Sequence, residues 1–193
     1  NSTLTGPAAA ADITAIETAN GNGTINGSAL TAINGTAAAV VQAIADLDTD
    51  PTNFNTTLTA GAADAADITA IEAANGTGTI NGSALTAING TYAQIAQALT
   101  DLDTDPTNFN STLSAGAENA TDITALEAAN GTGTIDGSAL TAINGTYAEI
   151  AQALTDLDTD PTNFNSTLSA GAEDAADITA LEAANGTGTI DGS

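Results

Sequence analysis

A period of 55 residues organises the chain and constrains its fold more than any other feature. Segments 67–121 and 122–176 are identical except at five positions. Such a period is typical of repeat proteins, in which each unit packs mainly against its neighbours. We therefore treat 1–193 as one continuous array, with 1–11 as the end of a preceding unit, followed by units 12–66, 67–121 and 122–176 and a partial unit 177–193. Because the last copy stops inside a unit, we expect the array to be a fragment of a longer chain.

Each unit is predicted to contain two helices. The apolar face of one helix is formed by Tyr92, Ile95, Leu99 and Leu102. A second, shorter helix is predicted at 122–131, where Asp122 would cap the N-terminus and Asn130-Gly131 would end the helix.

Short segments between these helices are rich in Thr and Ile and predict strands. They read GTGTID, LTAING and NFNSTLS. Helices that separate short strands favour parallel pairing. Much of the apolar content is alanine and only five residues are aromatic, which favours a thin core. The predicted fold class is α/β: an elongated repeat solenoid with short parallel strands and short helices.

An acidic segment, DLDTD, recurs before a proline in every full copy and predicts cation binding. Its carboxylates are those of Asp46, Asp48, Asp50, Asp101, Asp103, Asp105, Asp156, Asp158 and Asp160. Carboxylates at alternate positions of a turning backbone can converge on a hard cation, as in calcium loops. Carboxylates at a helix C-terminus also oppose the helix dipole, which favours a cation there. We therefore predict Ca²⁺ at these loops, with the carbonyl oxygens of Asn108 or Asn110 as further candidate ligands.

The loop departs from an EF-hand at two positions. Pro106 stands where that loop needs Gly, and Thr112 stands where it needs a bidentate Glu. An irregular calcium site is therefore the prediction. The alternative is a helix end followed by a solvated Asp-Pro turn.

Asparagine and threonine patterns raise two further possibilities. Fourteen N-x-[ST] sequons occur, Asn75, Asn89, Asn110 and Asn144 among them, but most are Asn-Gly-[ST] sequences that favour turns. Because Asn81 is replaced by Asp136 in the next copy, a turn or cap is the main interpretation and glycosylation the alternative. Thr-rich strands such as GTGTI could form a hydroxyl ladder that binds ice, although Thr also suits an ordinary parallel sheet.

Charge and composition exclude several functions. The chain has 24 acidic side chains and no Lys, Arg or His, for a net charge of −24. Nucleic acids and anionic membranes need cationic surfaces, so neither is expected as a partner. No apolar run is long enough to span a membrane. Paired carboxylates can cleave glycosides, but Asp residues repeated in every unit indicate a structural role, and we predict no enzymatic activity.

The segment LEAANGTGTIDGSALTAINGTYAEIAQAL, residues 126–154, resembles repeats in very large, acidic, Ala/Thr/Gly/Asp-rich surface and secreted proteins of cyanobacteria and other marine bacteria. Those repeats often read TGTVDASAVTxLTGTAAxI. The similarity covers nearly every unit of the chain. It implies an extracellular or cell-surface array that is commonly associated with calcium, and it identifies no activity.

The sequence thus predicts a structural repeat module of an extracellular or cell-surface protein. Such a module would form a filament, a surface layer or an adhesin stalk, would be stabilised by calcium, and would self-associate into a fibre or array through contacts that need not close. The first alternative is an adhesin whose exposed face binds a ligand or ice. The second is an acidic enzyme that acts on polysaccharides.

Overall fold

A computed structural model describes residues 1–171 and 173–192. Over these residues the chain is a mixed α/β protein with seven helices: α1 (Ala10–Asn20), α2 (Ala37–Asp46), α3 (Ala65–Asn75), α4 (Tyr92–Asp101), α5 (Ala120–Ala129), α6 (Tyr147–Asp156) and α7 (Ala175–Ala184). The strands in the same residues are β1 (Ser2–Ala9), β2 (Ile25–Asn34), β3 (Thr56–Thr57), β4 (Gly61–Asp64), β5 (Ile80–Asn81), β6 (Leu85–Asn89), β7 (Ser111–Thr112), β8 (Gly116–Asn119), β9 (Ile135–Asp136), β10 (Leu140–Asn144), β11 (Ser166–Thr167) and β12 (Ile190–Asp191).

The chain forms two compact units, one of residues 1–88 with 97–107 and one of residues 89–96 with 108–193. In the first unit, β1 pairs with β2 and β3 with β5, both in parallel, and β4 pairs with β6. In the second unit, β7 pairs with β9, β8 with β10 and β11 with β12, all in parallel. The predicted parallel pairing of short strands is confirmed in these pairs.

The core of the first unit lies between its strands and helices. Ile68 and Ile71 of α3 are fully buried, and so are Ile80 and Ile88 of the strands that follow. The corresponding buried residues of the second unit are Ile123, Leu126, Ile135 and Ile143. Small alanine side chains fill the remaining inward helix positions, which is why a chain with so few aromatic residues still closes a core.

The predicted amphipathic helix is confirmed as α4. Ile95 and Leu102 are buried, and Tyr92 and Leu99 are half-buried. Ala98, which the pattern did not mark, is also buried and completes the inward face.

The predicted shorter helix is α5, but it begins at Ala120, before the predicted start. Its N-cap residue is Asn119, whose backbone is extended (φ −81°, ψ 143°). Asp122 therefore lies in the first helical turn, and its assignment as the cap was wrong. The reason is that β8 leads directly into the helix, a strand that the sequence pattern did not predict. Asn130 ends the helix as expected.

Candidate functional site

The Asp-rich segments 46–50, 101–105 and 156–160, here called the Asp loops, each begin at the end of a helix. The first Asp of each loop is the last residue of α2, α4 or α6. A buried proline follows each loop, at Pro51, Pro106 and Pro161. Each helix already ends at the first Asp, before the proline is reached, so the predicted helix end is confirmed here.

In the loops 101–105 and 156–160 the first Asp receives hydrogen bonds from two helices, whereas Asp46 accepts one from Gln42 of its own helix and its Oδ2 atom is buried without a partner. Asp101 accepts one from the Gln97 side chain of its own helix at 2.7 Å and one from the Thr69 hydroxyl of α3 at 2.7 Å. Asp156 is held in the same way by Gln152 and Thr124, at 2.7 and 2.6 Å. These donors compensate a carboxylate that would otherwise face the negative end of the helix dipole.

The second Asp of a loop pairs with the start of a strand. The Oδ2 atom of Asp103 accepts the backbone N–H of Ile80 at 2.8 Å, and the Asp103 N–H donates to the Ile80 carbonyl oxygen at 2.9 Å. Asp48 and Ile25 form the same two hydrogen bonds, and so do Asp158 and Ile135. The carboxylate therefore satisfies a backbone donor at the edge of the core.

The third Asp of a loop is exposed. Burial raises the pKa of Asp105 and of Asp160, although both side chains remain mostly in solvent. Over residues 1–171 and 173–192, no group of three or more acidic side chains is arranged to hold a metal ion. The three carboxylates of a loop are thus not brought together, and the calcium sites predicted from the sequence remain predictions.

Substitutions at Asp103 distinguish a carboxylate that accepts the Ile80 N–H from one that binds a metal ion. Asp103→Ala is expected to lower the free energy of unfolding by about 1 kcal/mol, because it leaves the Ile80 N–H without its acceptor. Asp103→Asn keeps an acceptor oxygen and is expected to be close to the wild type. Urea denaturation with EGTA and with CaCl₂ measures both variants. If Asp103→Asn loses stability as Asp103→Ala does, and only with calcium present, then the carboxylate acts as a metal ligand instead.

A ladder of asparagine side chains joins successive strand segments and was not predicted from the sequence. Asn108 Oδ1 accepts the N–H and the hydroxyl of Thr132, at 2.9 and 3.0 Å. Asn110 Oδ1 accepts the N–H of Thr134 at 3.0 Å. The same bonds recur in the other copies, where the N–H groups of Thr77, Thr79, Thr187 and Thr189 donate to the Oδ1 atoms of Asn53, Asn55, Asn163 and Asn165. The constant spacing of Asn and Thr is the sequence signal that could have revealed them.

Most sequon asparagines make structural contacts. Asn75 and Asn130 are fully buried, and their side-chain amides donate to the carbonyl oxygens of Gly78 and Gly133 at 3.1 Å. Asn81 Oδ1 accepts the Ser83 N–H at 3.0 Å, and Asp136 makes the same contact with Ser138. The Ser138 hydrogen bonds lower the pKa of Asp136. The structure thus accounts for the exchange of Asn for Asp between copies, since only the acceptor oxygen is used.

A glutamate further along the chain caps the N-terminus of α4, and another caps that of α6. Glu118 accepts the N–H of Tyr92, the first residue of α4, at 3.0 Å, and Glu173 accepts that of Tyr147. Burial raises the pKa of Glu118; the Tyr92 N–H lowers it, and the nearby charge of Asp122 raises it further. A carboxylate at a helix N-terminus satisfies an unpaired donor and complements the dipole.

The exposed row beside the asparagine ladder alternates Thr with Asn or Asp. Thr57 lies beside Asn81, which lies beside Thr104. The second unit repeats the order as Thr112, Asp136 and Thr159. Threonines are thus not continuous along this row. Thr77 and Thr79 of GTGTI lie outside it, and the ice-binding alternative stays a prediction.

A shallow groove lies between α5 and α6. It is lined by Thr121, Thr124, Ala148, Glu149 and Gln152. Its one carboxylate, Glu149, receives the N–H of Thr146 at 2.8 Å as part of a helix cap. The alternative of glycoside hydrolysis by paired carboxylates stays a prediction.

The described residues define a repetitive α/β protein whose periodic polar side chains bind the backbone of other segments, before or after them in the chain. The sequence matches no protein-family model, and the comparisons with curated proteins and with solved structures found no match. In the part of the chain that the structure describes, no helix is sufficiently long and apolar to cross a membrane.

Proposed function

We propose that the chain is a structural repeat module of an extracellular or cell-surface protein, in which 55-residue units stack as a solenoid. The observation that carries this proposal is the recurrence of the same side-chain-to-backbone hydrogen bonds in each copy. The contact of Asp103 with Ile80, for example, recurs between Asp158 and Ile135. Polar side chains that are used within the scaffold in every unit support a mechanical role over recognition by a single site.

The surface of the described residues agrees with this role. No large apolar side chain is exposed among them. The chain also lacks cationic side chains, so its carboxylates have only solvent ions as counter-ions. We propose that dissolved cations, calcium among them, stabilise the array mainly by screening this charge. Self-association into a filament, surface layer or adhesin stalk is part of the same proposal.

Changing the number of units tests the solenoid. Deletion of residues 67–121 joins Ala66 to Asp122 and preserves the repeat. We expect the shorter chain to fold with lower stability and a smaller denaturant m-value. A chain with one duplicated unit should have a higher stability and a larger m-value, because stability in such arrays adds up along the chain. X-ray scattering should show a longest dimension that grows in equal steps with each unit.

The control is a deletion of residues 80–121, which removes a strand-to-helix segment and breaks the period. It should fail to fold cooperatively. A stability independent of unit number, or a dimension that does not grow with it, would refute the solenoid. Sedimentation velocity of the same series tests self-association separately, because an array that stays monomeric at every length would remove the fibre from the proposal and leave the solenoid intact.

A further inference from the structure

Ten Asn-Gly dipeptides occur in the chain, and they are chemically the least durable sequences in it. In Asn-Gly, the glycine backbone nitrogen attacks the asparagine side-chain carbon Cγ. The nitrogen loses its proton, ammonia leaves, and a five-membered succinimide forms. Water then opens the ring to aspartate or isoaspartate. Glycine favours this reaction because no Cβ hinders the approach.

In five of the ten dipeptides, both reacting groups are hydrogen-bonded: the side-chain amide of the asparagine and the backbone N–H of the glycine. Asn89 Oδ1 accepts the Thr112 N–H at 3.0 Å, while the Gly90 N–H donates to the Thr112 carbonyl oxygen at 3.2 Å. One threonine backbone thus binds the electrophile and the nucleophile on the same extended segment. Asn34 with Thr57, and Asn144 with Thr167, are held in the same way.

The Asn26 and Asn81 dipeptides are held by two partners each. Asn81 Oδ1 accepts the Ser83 N–H, and the Gly82 N–H donates to the Thr104 carbonyl oxygen at 2.9 Å. Asn26 makes the equivalent contacts. The later copies carry Asp136 and Asp191 at this position, so the product aspartate fits the turn. At this turn the fold therefore hinders formation of the succinimide but accommodates the aspartate product.

Four dipeptides lie at helix ends, at Asn20, Asn75, Asn130 and Asn185. The backbone at Asn130 and Asn185 has ψ of −4° and 1°. Such a ψ places the following nitrogen beside the residue's own nitrogen and away from Cβ, so the ring cannot close. Asn75, Asn130 and Asn185 are also buried, and their side-chain amides are bound.

Asn22 is different. Its side chain is exposed and, among the residues that the structure describes, has no hydrogen-bond partner. Only the Gly23 N–H is engaged, in a local turn to the Asn20 carbonyl oxygen at 3.1 Å. The corresponding residue of the next copy is Thr77, which cannot react in this way.

We propose that Asn22 is a site of spontaneous deamidation in the folded protein, and that the fold protects the Asn-Gly dipeptides whose reacting groups are hydrogen-bonded or buried. The consequence is a repeat surface that keeps its Asn-Gly turns and its charge for as long as it stays folded. This inference concerns the chemical durability of the chain and does not depend on the proposed function.

Peptide mapping tests it. The chain is incubated at mildly alkaline pH, folded or in urea, and then cleaved at Asp and Glu, since it has no Lys or Arg for trypsin. Cleavage after Glu17 and before Asp46 yields one peptide that carries Asn22 together with Asn20, Asn26 and Asn34. Fragmentation in the mass spectrometer then assigns each conversion.

In the folded protein, Asn22 is expected to convert at least about tenfold faster than Asn34, Asn89 or Asn144, because two hydrogen bonds must open at each of those sites. In urea all should convert at similar rates. The matched variant Asn22→Thr, which copies the later units, should abolish the early conversion and leave the other rates unchanged. Conversion of Asn89 or Asn144 as fast as Asn22 in the folded chain would overturn the proposal, and so would an Asn22 that reacts in urea only.

Discussion

Phe109→Ala is expected to lower the free energy of unfolding by about 3–5 kcal/mol, the range for removing a fully buried aromatic side chain. Phe109 is 2% exposed, and its backbone N–H donates to the Asn130 carbonyl oxygen at 3.1 Å. A Cβ on Gly133 would collide with the Phe109 carbonyl oxygen, so the backbone here is packed as tightly as the ring. Little room exists for the neighbours to relax into the cavity.

The repeat supplies matched controls for this substitution. Phe54 and Phe164 occupy the same position in the other copies, with exposures of 2% and 1%. Alanine at either should cost a similar amount, and Phe109→Leu should cost less because it leaves a smaller cavity. Urea unfolding followed by circular dichroism measures all four variants. A cost below about 1 kcal/mol for Phe109→Ala would show that the ring is not a core residue.

Local features of the fold were predictable where a short window of sequence determines them. The face formed by Ile95 and Leu102 predicted α4, and Asn130-Gly131 predicted the end of α5. These signals act within a few residues, so no knowledge of the partner segment is needed.

Features that depend on a partner segment were missed. Strand β8 has the sequence GAEN, which has no strand propensity, and it forms because β10 lies beside it. The asparagine ladder likewise needs the register between segments, since Asn108 and Thr132 are 24 residues apart. For the same reason the Asp loops were interpreted from their own residues alone, whereas Asp103 binds Ile80 and Asp101 binds Thr69.

Acidification from neutral pH towards the ordinary carboxyl pKa values of about 4 is expected to raise the stability of the protein, which is the opposite of ordinary acid denaturation. Burial raises the pKa of Glu118, Asp105 and Asp160 in the folded chain. Burial, and then the charge of Asp64, raise that of Asp67. A carboxyl with a raised pKa binds its proton more tightly when folded. The folded state therefore gains as the pH falls, and the gain is complete below the pKa of the unfolded chain.

Asp136 has the opposite effect, because the Ser138 hydrogen bonds lower its pKa. The stability that its carboxylate contributes is lost only below the ordinary carboxyl pKa. Glu118→Gln retains an acceptor for the Tyr92 N–H without the charge. It should therefore remove part of the pH dependence and keep the cap. Thermal melts between about pH 7 and pH 4 measure the effect, and a melting temperature that falls on acidification through pH 5 would contradict it.

Salt should act on the same charge at neutral pH. Raising the ionic strength from about 0.01 M to 1 M shortens the screening length from about 30 Å to about 3 Å, and a net charge of −24 without cationic side chains gives repulsion that such screening relieves. We expect the melting temperature to rise by about 5 °C or more, which for a chain of this size corresponds to one or two kcal/mol. Magnesium and calcium chloride at equal ionic strength separate screening from binding. Equal effects of the two salts indicate screening. Stabilisation by micromolar calcium but not magnesium would indicate that calcium is coordinated at the Asp loops.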